Sequence, residues 1–454
     1  MTTYVTVFRS SDTGAPTLSG TVGDLTNVFS HCLVIGKVFS TANDTSFTDN
    51  TNNARLSDAS GFLMFPTPAT ADRTYFGSSA QFKNLTFAFI TAGSSATYVW
   101  EYWNGTTWST LTVTDGTTSF TQAGSVTWTV PGNWATTSVN ASTMYWVRVR
   151  FTGTAPTTNP SVNTVSYLGW VEVQTGTNQR DYKQGPGSNS MIVSINDNGP
   201  NVTALGKEAR AKGFETSTGL GAGTNQFPTT AQGVAGTAGS VVIRKSNTLD
   251  TAPRSWIVIA DQRMWYLLIL TNDVANVYSG SAFGEFYSLI TNDPGRCVLI
   301  GRAAENNAAM ATTTEVLSNL ITTGGANAGF FHFCPRDAQG TLSSTGLGKM
   351  GDFNLFSGAG AAIQLGNSGS LAFPNPVDNK VYMAPMWLAQ TAGGTFFRGR
   401  MRGMYQWGHA VAVVSDGDTF TGSGDLAGKT FLIIKSGPIS DIYVFEVSDT
   451  WETN

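Results

Sequence analysis

Between about Thr41 and Leu168 the chain keeps returning to the two-residue period of half-buried β-strands. Leu85, Phe87 and Phe89 alternate with Thr86 and Ala88, and Tyr145, Val147, Val149 and Phe151 alternate with Trp146, Arg148 and Arg150. Successive side chains of a strand point to opposite faces, so one set must be buried. Winding the same segments into helices would scatter their apolar residues. Between Tyr98–Trp103 and Thr107–Val113 stands Asn104-Gly105, the dipeptide of a type I′ hairpin turn, in which both central residues take positive φ. Pro131 and Pro156 punctuate strands that recur at the spacing of a sandwich. The pattern predicts a β-sandwich of jelly-roll type over residues 42–168.

The flanks have another texture. Leu25, Val28, Phe29, Cys32 and Leu33 fall at helical spacing, which predicts one short amphipathic helix that needs a partner surface to persist. After about Gly169, Gly/Ala-rich loops separate strongly apolar strands such as Trp256–Ala260, Trp265–Leu270, Cys297–Ile300, Thr430–Ile434 and Ile442–Val447. Asp261-Gln262 is placed to turn a hairpin between the first two. The expected organisation is a discontinuous assembly domain, residues 1–41 with 169–454, enclosing the sandwich at 42–168. The fold class is mainly β, the assembly domain being β-rich α+β with few short helices.

Charge is scarce. Only 12% of the 454 residues are Asp, Glu, Lys or Arg, about half the usual ~25%. Thr, Ser, Gly and Asn replace them, and two such neutral faces can meet with little charge to desolvate. Lys and Arg number 26 against 30 Asp and Glu, net −4, with no basic run, so no nucleic-acid footprint is expected. No stretch reaches ~18 apolar residues and the N-terminal segment lacks a secretory pattern, so neither membrane nor export signal is expected. The three cysteines, Cys32, Cys297 and Cys334, form no CxxC pair and are expected as buried free thiols.

Motifs that would carry chemistry miss their registers. Gly422–Phe431 has Ser423 where a phosphate-binding loop needs glycine, and a strand pattern follows where a helix must open. Asp416-x-Asp418 continues with Phe420 and Thr421 where a calcium loop needs an oxygen ligand and glycine. His31, His332 and His409, the only histidines, show no zinc-site spacing. Glu101, Asp115, Glu172 and Asp181 are available as carboxylates, but nothing pairs two of them. No catalytic residue, metal or cofactor is expected.

Two groups of residues remain as candidate contacts. Tyr98, Trp100, Tyr102, Trp103 and Trp108 cluster on the hairpin. Alternation puts Tyr98, Trp100 and Tyr102 on one face and Val99, Glu101 and Trp103 on the other. One set must fill the core, and the rest would contact a subunit or a glycan. Arg398, Arg400 and Arg402 lie among aromatics in FFRGRMRGMYQWGH. They are expected to pair with acidic groups of a neighbouring chain, the alternative being a solvated loop.

FRSSDTGAPTLSGTVGDLTNVFSHCLVIG, YKQGPGSNSMIVSINDNGPN, ARAKGFETSTGLGAGTNQFPT, FFRGRMRGMYQWGH and TFTGSGDLAGKTFLIIKSG resemble an uncharacterised class of tailed-phage virion structural proteins. In that class the first two stand closer together, in keeping with an insertion at roughly 42–168. The inserted YVWEYWNGTTWSTL, VPGNW and MYWVRVRF resemble a module of phage neck, collar and fibre proteins. The resemblance implies an oligomeric virion component, assembled in the host cytoplasm and placed near the head–tail junction as a collar or neck protein. Its partners would be itself and the neck, portal, tail or capsid proteins. A glycan-binding or fibre-like host-recognition appendage and a capsid decoration protein are the alternatives; an enzyme is not expected.

Overall fold

The alternation between Thr41 and Leu168 builds two facing antiparallel sheets. The structure, a computed structural model, describes residues 5–57, 60–69, 71–153, 155–185, 190–198, 208–230, 239–246, 250–270, 278–302, 330–342, 349–351, 372, 374–390, 396–409, 414–436, 441–448 and 451. It is mainly β, with two short α-helices among these residues. The chain divides into two compact units, one formed by 11–16 and 27–175, the other by 1–10, 17–26 and 176–454.

In the first unit the strands β1 (Phe62–Leu63), β2 (Arg73–Ser78), β3 (Asn84–Thr91), β4 (Tyr98–Trp103), β5 (Trp108–Thr110), β6 (Gly124–Thr127), β7 (Ser142–Phe151) and β8 (Ser161–Ser166) carry the architecture. One sheet runs β1-β8-β3-β6 and the other β2-β7-β4-β5. These are the interleaved orders of a jelly roll. Phe76 of β2 meets Phe87 of β3 edge-on at 5.5 Å, and Phe87 lies 6.3 Å from Trp100 of β4. Val147, Val149 and Phe151 point into the same core, fully buried.

The sandwich begins earlier than expected. Lys37–Thr41, assigned from sequence to the first assembly segment, pairs with β2 from Lys37↔Gly77 to Thr41↔Arg73. Phe47–Asp49 pairs with it in turn. Val38, Phe39, Ser40 and Thr41 are all buried, so both faces of this strand are covered and it carries no alternation to announce it. At the other end the unit continues past 168 to Thr175. The predicted helix forms as α1 (Asp24–Leu33), and Leu25, Val28, Phe29, Cys32 and Leu33 are fully buried. A second, five-residue helix, α2 (Thr51–Arg55), was not foreseen. Its Arg55 donates from Nε to Ile35 O at 2.6 Å and from Nη2 to Gly36 O at 2.8 Å, tying down the chain just after α1.

The second unit is built mainly from two larger sheets, with a small two-stranded ribbon of Thr216–Gly219 and Ala222–Thr224 beside them in the chain. The first contains β9 (Gln179–Lys183), β10 (Ile192–Asn196), β11 (Glu208–Phe214), β12 (Val241–Arg244), β13 (Ser255–Ala260), β14 (Met264–Leu270), β15 (Tyr278–Glu285) and β16 (Cys297–Arg302). They run in the order β13-β14-β15-β16-β12-β11-β10-β9, and Thr6–Arg9 flanks β13. The second sheet contains β17 (Met383–Gln390), β18 (Phe396–Trp407), β19 (Thr430–Ser436) and β20 (Asp441–Glu446), ordered β17-β18-β20-β19. Tyr266, Leu268, Val298 and Ile300 of the first sheet share one core with Met386, Leu388, Met401, Leu432 and Phe445 of the second. The β13–β14 hairpin turns where expected. Its Asp261 carboxylate accepts the N–H groups of Arg263 and Met264, each at 2.8 Å, mimicking a backbone turn.

Candidate functional site

The β4–β5 hairpin closes on Trp103↔Trp108, with four residues between them rather than two. Gly105 alone among these takes positive φ, +99°. Asn104 Oδ1 instead accepts the N–H groups of Thr106 and Thr107, both at 2.9 Å. The hairpin is therefore where the sequence put it, but the turn is not type I′. The Asn104 side chain supplies the acceptor that the tighter turn would have taken from the backbone.

The five hairpin aromatics separate by face. Trp100 is buried among Phe76, Phe87, Phe120 and Trp128. Tyr98 stacks on Phe65 at 5.8 Å and meets Phe120 edge-on at 4.7 Å. Burial, aided by Asp115, pushes its phenol up to about 12. Tyr102 lies 6.5 Å from Trp134 and its hydroxyl donates to Asn133 Oδ1 at 2.9 Å. These three belong to the sandwich interior and its rim.

Trp103 and Trp108 belong to the outer face of the same sheet and meet edge-on at 5.7 Å. The Arg148 guanidinium sits 4.2 Å from the centre of the Trp108 ring, a cation–π contact. Arg148 Nε reaches Glu101 Oε2 at 2.7 Å, and Arg150 reaches Glu101 Oε1 at 3.2 Å. Arg148 also donates to the Tyr75 hydroxyl at 2.9 Å, which donates to Asp44 at 2.7 Å, and Asp44 pairs with Arg73 at 3.1 Å. Three arginines thus share two carboxylates around a rigid indole pair. Asp44 and Arg73 were not singled out from sequence. The one local signal was Asn43-Asp44, a dipeptide tolerant of the left-handed backbone that Asp44 adopts at φ +60°. Behind this network Phe39, Tyr75, Val139 and Trp146 form a separate buried cluster, so the centre of the outer face is already occupied by the unit's own chain.

The β18 arginines correct the expectation of a subunit contact. Arg398 is buried and holds Asp293 with two bonds, Nη2 to Oδ1 at 2.7 Å and Nε to Oδ2 at 3.0 Å. It also donates to Arg336 O at 2.6 Å. Arg402, equally buried, lies 3.5 Å from Asp261 and 3.9 Å from Glu285. Arg400 is half-buried over the Tyr287 ring at 4.7 Å. The acids that engage Arg398 and Arg402 lie more than a hundred residues earlier in the chain, so no local pattern announces them.

The remaining candidates are tied into local structure. His31 Nε2 is 3.0 Å from the Ser79 hydroxyl. His409 Nε2 accepts the Tyr382 N–H at 2.6 Å. The His332 side chain lies outside the described residues. The three cysteines are buried and free. Asp115 accepts the N–H groups of Thr117 and Ser119, Glu172 accepts the Ser30 hydroxyl, and Asp181 accepts the Gly221 N–H. Gly424–Leu426 is a single 3-10 turn followed by β19, not by a helix. Asp416 and Asp418 flank a turn in which Gly417 has φ +86°. Among the described residues no three His, Cys, Asp or Glu side chains gather as metal ligands would, and no helix is long and apolar enough to cross a membrane.

Neither known family models nor curated proteins match the chain.

Proposed function

We propose that the chain is a structural subunit of a tailed-phage particle, acting by protein–protein assembly as a collar or neck component at the head–tail junction. The sequence likeness to virion proteins supplies the setting. The observation that carries the assembly reading is where the scarce charge goes. Asp197–Lys245, Glu208–Arg244, Asp293–Arg398 and Asp261–Arg402 are all buried pairs. Each pair drawn inside takes charge from the exterior, and faces poor in charge associate with little desolvation. Closed point-group symmetry is the usual result when one such chain meets copies of itself.

Sedimentation velocity on the purified chain tests this directly. A discrete ring or trimer is expected. A monomer at micromolar concentration, together with absence of the chain from purified particles, would overturn the proposal. Capsid decoration would use the same chemistry at another address, and cryo-EM of the parent particle distinguishes the two.

A second reading, a glycan-binding appendage, is favoured by Trp103 and Trp108 on the outer face beside Arg148, since indoles stack on sugar rings. Response of a glycan array to the native chain, abolished by Trp108→Ala, would establish it; silence across the array would exclude it.

A further inference from the structure

We propose that the outer face of β2, β7 and β4 takes an acidic oligosaccharide, whose carboxylate or sulfate bridges Arg73 and Arg150. The inference rests on the glycan reading of Trp103 and Trp108 and gives that sugar its class.

Arg73 and Arg150 stand directly opposite one another on β2 and β7. Like charges so placed repel across the two strands. Four residues along, Trp146 faces Gly77, and there Phe39, Tyr75, Val139 and Trp146 cover the sheet. The arginine pair lies at the other end. Its side chains are 22% and 30% exposed, within reach of a ligand.

The described ionisable groups of this face are Lys37, Arg73, Arg148, Arg150, Asp44, Asp49, Glu101 and the Tyr75 phenol. Lys37 is matched by Asp49 at 3.0 Å. Asp44 serves both Arg73, at 3.1 Å, and Arg148, at 3.9 Å. Glu101 serves both Arg148, at 2.7 Å, and Arg150, at 3.2 Å. Every guanidinium therefore has a carboxylate, but two carboxylates are divided among three. Asp72, next to Arg73 in the chain, is fully buried and taken up by the Thr67 N–H at 2.7 Å and hydroxyl at 2.8 Å. The Tyr75 phenol, its pKa raised chiefly by burial, brings no further negative charge.

These bonds leave defined donors. Arg73 spends Nη1 on Asp44 and on Ala71 O at 2.7 Å, and its Nε is buried without an acceptor. Arg150 spends Nε and Nη2 on Glu101, at 3.3 and 3.2 Å. Among the described residues Arg73 Nη2 and Arg150 Nη1 are thus open, one on each strand, to the oxygens of a carboxylate or sulfate. Trp103 follows Tyr102, which faces Val147, and so stands level with Trp146. That is four residues, about 13 Å, along the sheet from Arg150. A single sugar ring does not cover such a span. The ligand is therefore an oligosaccharide, stacked on an indole at one end and held by its anion at the other.

A microarray of uronate-bearing, sulfated and neutral oligosaccharides, probed with the full chain at about 50 mM ionic strength so that screening stays weak, tests the site. A response confined to the uronates, to the sulfated sugars or to both is expected, and the pattern identifies the anion. By isothermal titration the strongest of them should bind with a millimolar or tighter dissociation constant. Arg73→Gln and Arg150→Gln, each with an unchanged melting curve, should weaken it at least about tenfold. If the neutral variants fail to fold, Arg73→Lys keeps the charge beside Asp44 without the guanidinium fork and should weaken binding at least about threefold. Lys37→Gln removes the same charge from a matched pair on this face and should stay within about twofold of the native chain. Neutral sugars bound as well as acidic ones would overturn the inference and leave the glycan reading standing, whereas silence across the array overturns both. The inference also falls if the folded arginine variants bind like the native chain. It falls equally if Lys37→Gln weakens binding as much as they do, since a general positive field would then suffice.

Discussion

His31 stands in the last turn of α1, where the helix dipole favours an imidazolium by about 0.3–1 kcal/mol. Burial outweighs that term. Desolvation is the largest influence on the ring, ahead of Asp12, which acts to raise its pKa, and Arg55, which acts to lower it; the net effect brings the pKa down to about 4. An unfolded histidine titrates near 6.5, so between these values the unfolded chain takes up a proton that the folded chain refuses. The stability contributed by neutral His31 is thus complete above about pH 6.5 and is lost as the pH falls towards 4. Urea unfolding should show the native chain losing about 1–3 kcal/mol more than His31→Gln between pH 7 and 4.5. Equal losses in the two proteins would exclude this role. The position of His31 was legible from helical spacing, but its pKa was not. Its Ser79 partner is 48 residues away, and burial is a property of the packed unit.

At the scale of the element, the β4–β5 hairpin shows what alternation determines and what it leaves open. It separated Tyr98, Trp100 and Tyr102 from Glu101 and Trp103 without saying which set faced inward. The opposing sheet decides it, because Phe76 and Phe87 close over Trp100, which is 4% exposed. Trp100→Ala should cost about 3–5 kcal/mol in chemical denaturation, the usual loss for a large core aromatic. Trp108→Ala gives up its contacts with Arg148 and Trp103 at a partly exposed site and should cost about 1–2 kcal/mol. Losses of equal size would mean that the two indoles are equally part of the core. Alternation was equally informative for β7, whose Val147, Val149 and Phe151 face inward as a set. It was silent for Lys37–Thr41, which is buried on both faces.

For the whole molecule the governing feature is a small complement of charge, much of it turned inward. The Asp197–Lys245 pair, at 2.6 Å with both side chains fully buried, is screened far less by salt than a surface pair. The same holds for Asp293–Arg398 and Asp261–Arg402. Raising NaCl from about 50 to about 500 mM should therefore move the melting temperature of the chain by no more than ~2 °C. A fall of more than ~5 °C would show that exposed pairs carry the stability instead. The low overall share of charge, 12% of the chain, is what makes assembly the favoured reading.

The sequence alone determined what depends on neighbours along the chain. It located the strands of the sandwich, the helix Asp24–Leu33 with its apolar face, the hairpin at Asn104-Gly105 and the turn at Asp261, because periodicity and turn chemistry act over a few residues. Only the tertiary structure decided which face of each strand was core, that two sheets of the second unit share one core, and that Arg398 and Arg402 point inward. Their acids, Asp293 and Asp261, stand 105 and 141 residues away along the chain. Contacts at that separation are made by sheet topology, and no local pattern encodes them.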